Sequence, residues 1–416
     1  MRTIKFIIFT LLLNISLFAG GGSVYSRYGL GDVYFGVSAR TLGMGGLGIA
    51  QADNYLNNLN PAGWNRIKFT RFETGLSYMS QKLEDQSGSS SFTDFSFMGF
   101  SFGLPLEKDL GLSLVGGLQP VSNVQYDISD VKTDGSNQYE EYFNGEGGLS
   151  KAFIGVSYRL PFDVALGTSF EYYSGTNKYI SGFDFPNDAD SYAGEYITKL
   201  QFNGIGWNFG IISNNFSELL NLNFIDDLRV GITFNVVGNL TTDSLLTSKS
   251  IITSSSYYSD TLAESSVYTD MPDRFGAGLS MKIEKNYTIT LDYLTQYWSD
   301  FSIDGKKSVG LRNLNKYSFG FEYNRNATPF SSFWEQIVFR GGLSFENTQY
   351  RIKGKGIDQL AFSAGFSLPV GFSSSLDIGL QYGYRGTTDS GLLKEKFLKA
   401  DVSLSFGELW FFRQDR

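Results

Sequence analysis

The feature that most constrains this chain is a two-residue alternation of apolar and polar side chains that returns in segment after segment. In 373–385, Leu376, Ile378, Leu380, Tyr382 and Tyr384 alternate with Asp377, Gly379, Gln381, Gly383 and Arg385. In 395–406, Leu398, Ala400, Val402, Leu404 and Phe406 alternate with Lys399, Asp401, Ser403 and Ser405. Successive side chains of a strand point to opposite faces, whereas a helix repeats every ~3.6 residues, so these segments read as strands. Fourteen candidates follow: 69–80, 92–103, 109–127, 148–160, 163–174, 196–212, 227–239, 273–283, 286–299, 315–325, 336–346, 357–368, 373–385 and 394–407.

The connections between these segments alternate in length. Those after even-numbered strands are short or medium, among them LPLEK, LPFD, EKN and PVGFS. Those after odd-numbered strands read as longer polar loops: 81–91, 128–147, 175–195, 240–272, 300–314, 347–356 and 386–393. A soluble β-sandwich has no reason to alternate its loop lengths. A transmembrane barrel with both ends on the inner side does, because tight turns line one rim and long loops the other. Each segment also reaches the ~9–11 residues that a tilted crossing needs. The sequence therefore predicts an all-β fold, a transmembrane antiparallel β-barrel of about fourteen strands.

The N-terminus supports export. Arg2 and Lys5 precede the apolar run FIIFTLLLNISLFAG, with small residues from Ala19 to Gly22 at its end, the pattern of a secretory leader. The expected layout is a signal peptide at 1–19, an N-terminal extension and hatch at 20–66, and the barrel at 67–416, placed in the outer membrane. Such a chain depends on the Sec and barrel-assembly machinery and on outer-membrane lipid, and it reads as a monomer. There is no Cys and no His, which removes thiolate and imidazole metal sites and every nucleophile that relies on a His base. A net charge of −8 disfavours nucleic acid as a partner. An enzyme is not expected, nor is a cofactor or a metal.

Residues 25–66 are dense in Gly, Asn and Ala and do not alternate. Within them GMGGLG satisfies the dinucleotide fingerprint letter for letter, yet no buried strand precedes it and no suitably spaced acid follows. Glycines that let backbone pack closely inside a lumen account for it better. The stretch SARTLGMGGLGIAQADNYLNNLNPAGW resembles the N-terminal signature of the FadL-like outer-membrane transport proteins. The matching elements are Gly43, Met44, Gly45 and Gly46, then Ala52 and Asp53, then Asn60, Pro61, Ala62 and Gly63. The resemblance implies a barrel closed by an N-terminal hatch and an outer-membrane channel for a hydrophobic small-molecule ligand, such as a long-chain fatty acid or an aromatic hydrocarbon. It also implies a kinked third strand that opens the wall sideways. PorV-like barrels of the type IX secretion system, which bind protein cargo, begin similarly and supply an alternative; a structural surface protein is another.

The third strand can be read on its own. It contains LGLSLVGGLQPVSNVQYDI, with Gly116, Gly117 and Pro120 inside an otherwise regular run. Proline has no ladder N–H, and a closed barrel has no free edge where that loss is harmless. Either the wall bulges or opens near Pro120, or Pro120 lies beyond the strand's end. Inward polar residues such as Arg385, Asp401, Lys399, Asp292 and Arg340 read as lumen cross-links. Trp410, Phe411 and Phe412 read as an interfacial girdle.

Overall fold

A computed structural model describes residues 22–408 except 87, 135–136, 186–192, 254–255, 326–327 and 329. The leader at 1–19, its cleavage site and the aromatic girdle at 410–412 lie outside the described residues.

Fourteen wall strands run antiparallel in sequence order. They are β1 Thr70–Glu84, β2 Ser89–Glu107, β3 Leu112–Pro120 continued as Ser122–Asp134, β4 Asn137–Arg159, β5 Ala165–Asp184, β6 Ala193–Ile212, and β7 Ile225–Val237 continued as Leu240–Thr253. Then come β8 Ser256–Asp270 continued as Arg274–Ile283, β9 Tyr287–Gln296, β10 Leu314–Tyr323, β11 Val338–Ile352, β12 Lys355–Pro369, β13 Ser375–Gly386 and β14 Lys394–Glu408. β14 pairs with β1 from Thr70–Glu408 to Glu84–Lys394, which closes the cylinder.

The wall is inverted relative to a soluble protein. Along β14, Leu398, Val402 and Phe406 are exposed while Asp401, Ser403 and Ser405 are buried. Along β6 the exposed residues are Ile205, Trp207, Phe209 and Ile211, and Asn208 faces inward. Large apolar side chains outside and polar ones inside are what a lipid-facing barrel requires. No helix among the described residues is long and apolar enough to cross a membrane.

The long connections are not loops for most of their length. Residues 128–147, 175–195 and 240–272, read from sequence as loops, are largely strand. β3 and β4 pair up to Asp134–Asn137, β5 and β6 up to Phe183–Gly194, and β7 and β8 up to Thr253–Ser256. The upper ends of β3 to β8 thus form a sheet that continues beyond the membrane band. Both faces of this extension meet water, so no apolar alternation marks it, while its Tyr, Thr, Ile and Val residues still favour extended backbone.

Candidate functional site

Residues 22–67 lie inside the barrel. They contain the 3-10 helix Val24–Arg27, the two-residue strand Asp32–Val33, the helix α1 Ala39–Gly43 and the 3-10 helix Pro61–Arg66. Their backbone presses on inward-facing glycines spread around the whole wall. A Cβ at Gly379 of β13 would strike Ala39, one at Gly342 of β11 would strike Gly45, one at Gly231 of β7 would meet Ala50, and ones at Gly167 of β5 and Gly210 of β6 would meet Ala62. One segment can touch strands on all sides of a cylinder only from within.

The sequence-predicted residues fall into two anchoring patches. Gly43, Met44, Gly45 and Gly46 end α1 and turn against β10, β11 and β12. Gly45 has φ +84, and a Cβ there would lie 2.9 Å from the Phe319 carbonyl and 3.0 Å from that of Leu343, so both the dihedral and the space call for glycine. Gly43 lies against Gly365, and Met44 is buried with its carbonyl accepting from Ser318 Oγ at 3.4 Å. The second patch is Asn60, Pro61 and Ala62. Asn60 is fully buried; its Nδ2 donates to the carbonyls of Ile49 at 2.8 Å and of Ile211 and Ile232 at 3.3 Å. Its Oδ1 accepts from Ala62 N at 3.0 Å and so caps the helix that Pro61 opens. One side chain thus ties two inner turns to β6 and β7.

Ion pairs fasten the inner segment further. Arg40 contacts Asp53 at 2.6 Å and Glu322 of β10 at 3.2 Å, and Glu322 also accepts from Arg340 at 2.8 Å. Burial alone would push the Asp53 carboxyl up, but Arg40 outweighs it and holds the group below the usual carboxylate range. Arg385 of β13 spans Asp32 at 2.9 Å and Glu395 of β14 at 2.6 Å. Tyr25 donates to the Leu393 carbonyl beside this pair, and burial, with the Glu395 charge, pushes its phenol up to about 12. Asp292 accepts from Ile49 N at 2.9 Å, and Lys399 lies 3.5 Å from Asp401. The inward charges therefore fix a folded inner segment rather than line an open aqueous bore. Asp32, Tyr25 and Arg40 carry no sequence motif for this role; only the strand they face reveals it.

The wall is notched between β2 and β3. β2 and β3 pair only from Glu107–Leu112 to Phe100–Leu118. Above that level Ser89–Phe97 of β2 pairs with β1 alone, and Val124–Asp134 of β3 pairs with β4. The break follows Pro120. Val121 N–H donates to Leu149 of β4, so one residue earlier the ring nitrogen of Pro120 faces the notch, where it has no hydrogen to offer β2. Gly116 and Gly117 sit lower, paired on both sides with Phe102–Ile154 and Ser101–Phe153, and take no part in the break. Phe95 and Phe97 beside the notch are exposed on the outer surface, which sets it level with the apolar band.

The inner segment fills the base of the notch. Asp32 and Val33 pair with Asn123 and Ser122, and Tyr34 N–H donates to the Val121 carbonyl at 2.9 Å. A cleft of about 260 Å³ opens there, walled by Phe97, Met98, Val37, Pro120 and Tyr34. It adjoins an inner cleft of about 140 Å³, with Tyr34, Ser96, Asn123 and Lys399 lining both.

The architecture is shared with solved structures. The Ralstonia pickettii toluene transporter TbuX matches at a TM-score of 0.55 and 16% identity over 94% of this chain and 100% of that one. A Pseudomonas aeruginosa FadL homologue matches at a TM-score of 0.61 and 9% identity over 90% and 99%. The monoaromatic hydrocarbon channel CymD gives 0.57 and 17% over 92% and 100%. At such identities the likeness establishes the fold alone, the barrel architecture that these channels share. No curated protein matches the sequence. The profile of one family, BamG, matches residues 1–415, essentially the whole chain, and the protein belongs to that family.

Proposed function

We propose that the protein is an outer-membrane channel through which hydrophobic solutes pass from the cell surface into the wall notch. The observation that carries this reading is the unpaired stretch between β2 and β3 above Pro120, level with the lipid-facing band and backed by a cleft that Val37, Phe97, Met98 and Pro120 line together with polar residues. Apart from these clefts the lumen is occupied by the inner segment and its ion pairs, an unsuitable path for an apolar solute. A route that enters from the far rim and leaves sideways avoids it. The inner segment acts as a hatch, with Asp32–Tyr34 as the part that stands in the exit. The named ligands of the similar structures, toluene and monoaromatic hydrocarbons, are of the chemical class such an exit suits.

Pro120→Val tests the reading. It restores the missing donor on the notch side, favours continued pairing with β2, and narrows the exit. Uptake of a hydrophobic probe by cells that depend on this protein should fall several-fold, with abundance and heat-modifiability unchanged. Pro161→Val, in a near-rim turn, should leave uptake alone. Equal uptake by Pro120→Val and the parent would remove the lateral exit. The family's name favours a second partner, the barrel-assembly machinery; co-purification with that machinery from membranes solubilised in mild detergent would test it.

A further inference from the structure

The sheet extension beyond the membrane carries an aromatic cleft that the lateral route does not use. On β4 the odd-numbered residues face the axis, as the buried Lys151 and Phe153 show, and the unbroken register with β5 carries that parity up to Tyr139. Tyr139, Glu141 and Phe143 therefore face inward above the inner segment. Glu141 stands opposite Phe183 of β5, and Ser181 stands opposite Tyr196 of β6. With Phe185 these side chains line a cleft of about 420 Å³. Its rings are not stacked flat: Tyr139 and Phe185 lie 5.9 Å apart at 42°, Phe183 and Phe185 5.8 Å apart at 76°. Inclined rings present π faces, rather than edges alone, to a shared space.

The charge in this cleft has one sign. No Lys or Arg lines it, and Glu141 does. Glu141 forms no hydrogen bond or salt bridge among the described residues, although Asp130 faces it across the β3–β4 pair. The nearby cation, Lys132, stands opposite Tyr139 and is bonded to Asp130 at 2.6 Å, with the Glu141 charge a lesser influence on it. At the lower end Arg27 of the inner segment already lies 6.0 Å from the centre of the Phe143 ring. Among the described residues no cation is stacked on the rings of Tyr139, Phe183, Phe185 or Tyr196. A carboxylate that no hydrogen bond or salt bridge occupies among the described residues, set among aromatic faces, is an arrangement that recognises a quaternary ammonium, whose diffuse charge and methyl surface suit π faces better than water. A fatty-acid carboxylate would be repelled.

We propose that this cleft binds a small quaternary ammonium ion from the cell exterior, held by the four rings and neutralised by Glu141. The site does not depend on passage through the wall, because it lies on the sheet extension and shares no lining residue with the notch. Calorimetric titration of the purified chain in detergent tests it with two probes of one shape, choline and its neutral isostere 3,3-dimethylbutan-1-ol. Choline should bind saturably, and the isostere about tenfold more weakly. Glu141→Gln should remove most of that difference, while Phe183→Ala weakens both probes; heat-modifiability of each variant confirms a folded barrel. Equal affinity for the two probes, or choline binding unchanged in Glu141→Gln, would overturn the proposal. Tighter binding of phosphocholine than of choline would overturn it too, because it would assign the cleft to a lipid headgroup.

Discussion

If the inner segment stands in the exit, pinning it there should stop transport. Val33 and Ser122 are directly opposed where Asp32–Val33 takes the place of a wall strand beside β3. Opposed residues of an antiparallel pair have Cα atoms ~4.5–5.5 Å apart, inside the span that a disulfide bridges. The chain has no cysteine, so Val33→Cys with Ser122→Cys creates a single defined bond. It closes a loop of about 90 residues, for which the chain-entropy estimate is roughly 4–5 kcal/mol of added stability. The oxidised protein should migrate faster on denaturing gels and need a higher temperature to lose its folded mobility. Uptake of a hydrophobic probe should fall at least about tenfold on oxidation and return with reductant, since a covalent bond removes the undocked state altogether. The single variants should behave as the parent under both conditions. Full cross-linking with undiminished uptake would refute the reasoning, because solute would then pass without this strand moving. Failure to cross-link at all would refute the pairing itself.

Other consequences of the inner packing are testable by simpler means. Gly342→Val places methyl groups where the Gly45 backbone lies; overpacking of this kind costs about 1–3 kcal/mol, and the anchored turn should become a protease site without loss of the barrel. Arg385→Ala leaves the buried Glu395 and the half-buried Asp32 without their cation, a loss of about 3–5 kcal/mol, visible as a lower temperature for the gel-mobility shift. Tyr25 has its phenol raised above the unfolded value of 10.0, so its contribution is complete below pH 10 and is lost as pH rises towards 12. Release of the inner segment, followed by proteolysis, should therefore steepen in that window in the parent and not in Tyr25→Phe.

The wall was legible because a lipid-facing barrel demands alternation in every strand. Leu398, Val402 and Phe406 must face lipid and Asp401, Ser403 and Ser405 the lumen, so one-dimensional order is enough to count strands and orient them. Loop parity was legible for a related reason, since chain direction reverses at each turn. The far ends of β3 to β8 were not, because strands wet on both faces lose the periodic signal while keeping their backbone pairing. The Gly-Met-Gly-Gly and Asn-Pro-Ala elements stood out as motifs, but their partners did not. Gly342 and Gly365 are some three hundred residues away, and nothing local distinguishes them from other strand glycines. Pro120 announced a defect in the ladder, yet Asp32–Tyr34 filling that defect depends on a contact across the lumen. The sequence by itself determined a barrel of about fourteen strands with polar interior and apolar exterior, since each residue's environment repeats along the strand. Only the tertiary structure decided where the ladder parts, what stands in the parting, and that Glu141 is set among aromatic rings, because these depend on pairings between residues that chain order does not bring together.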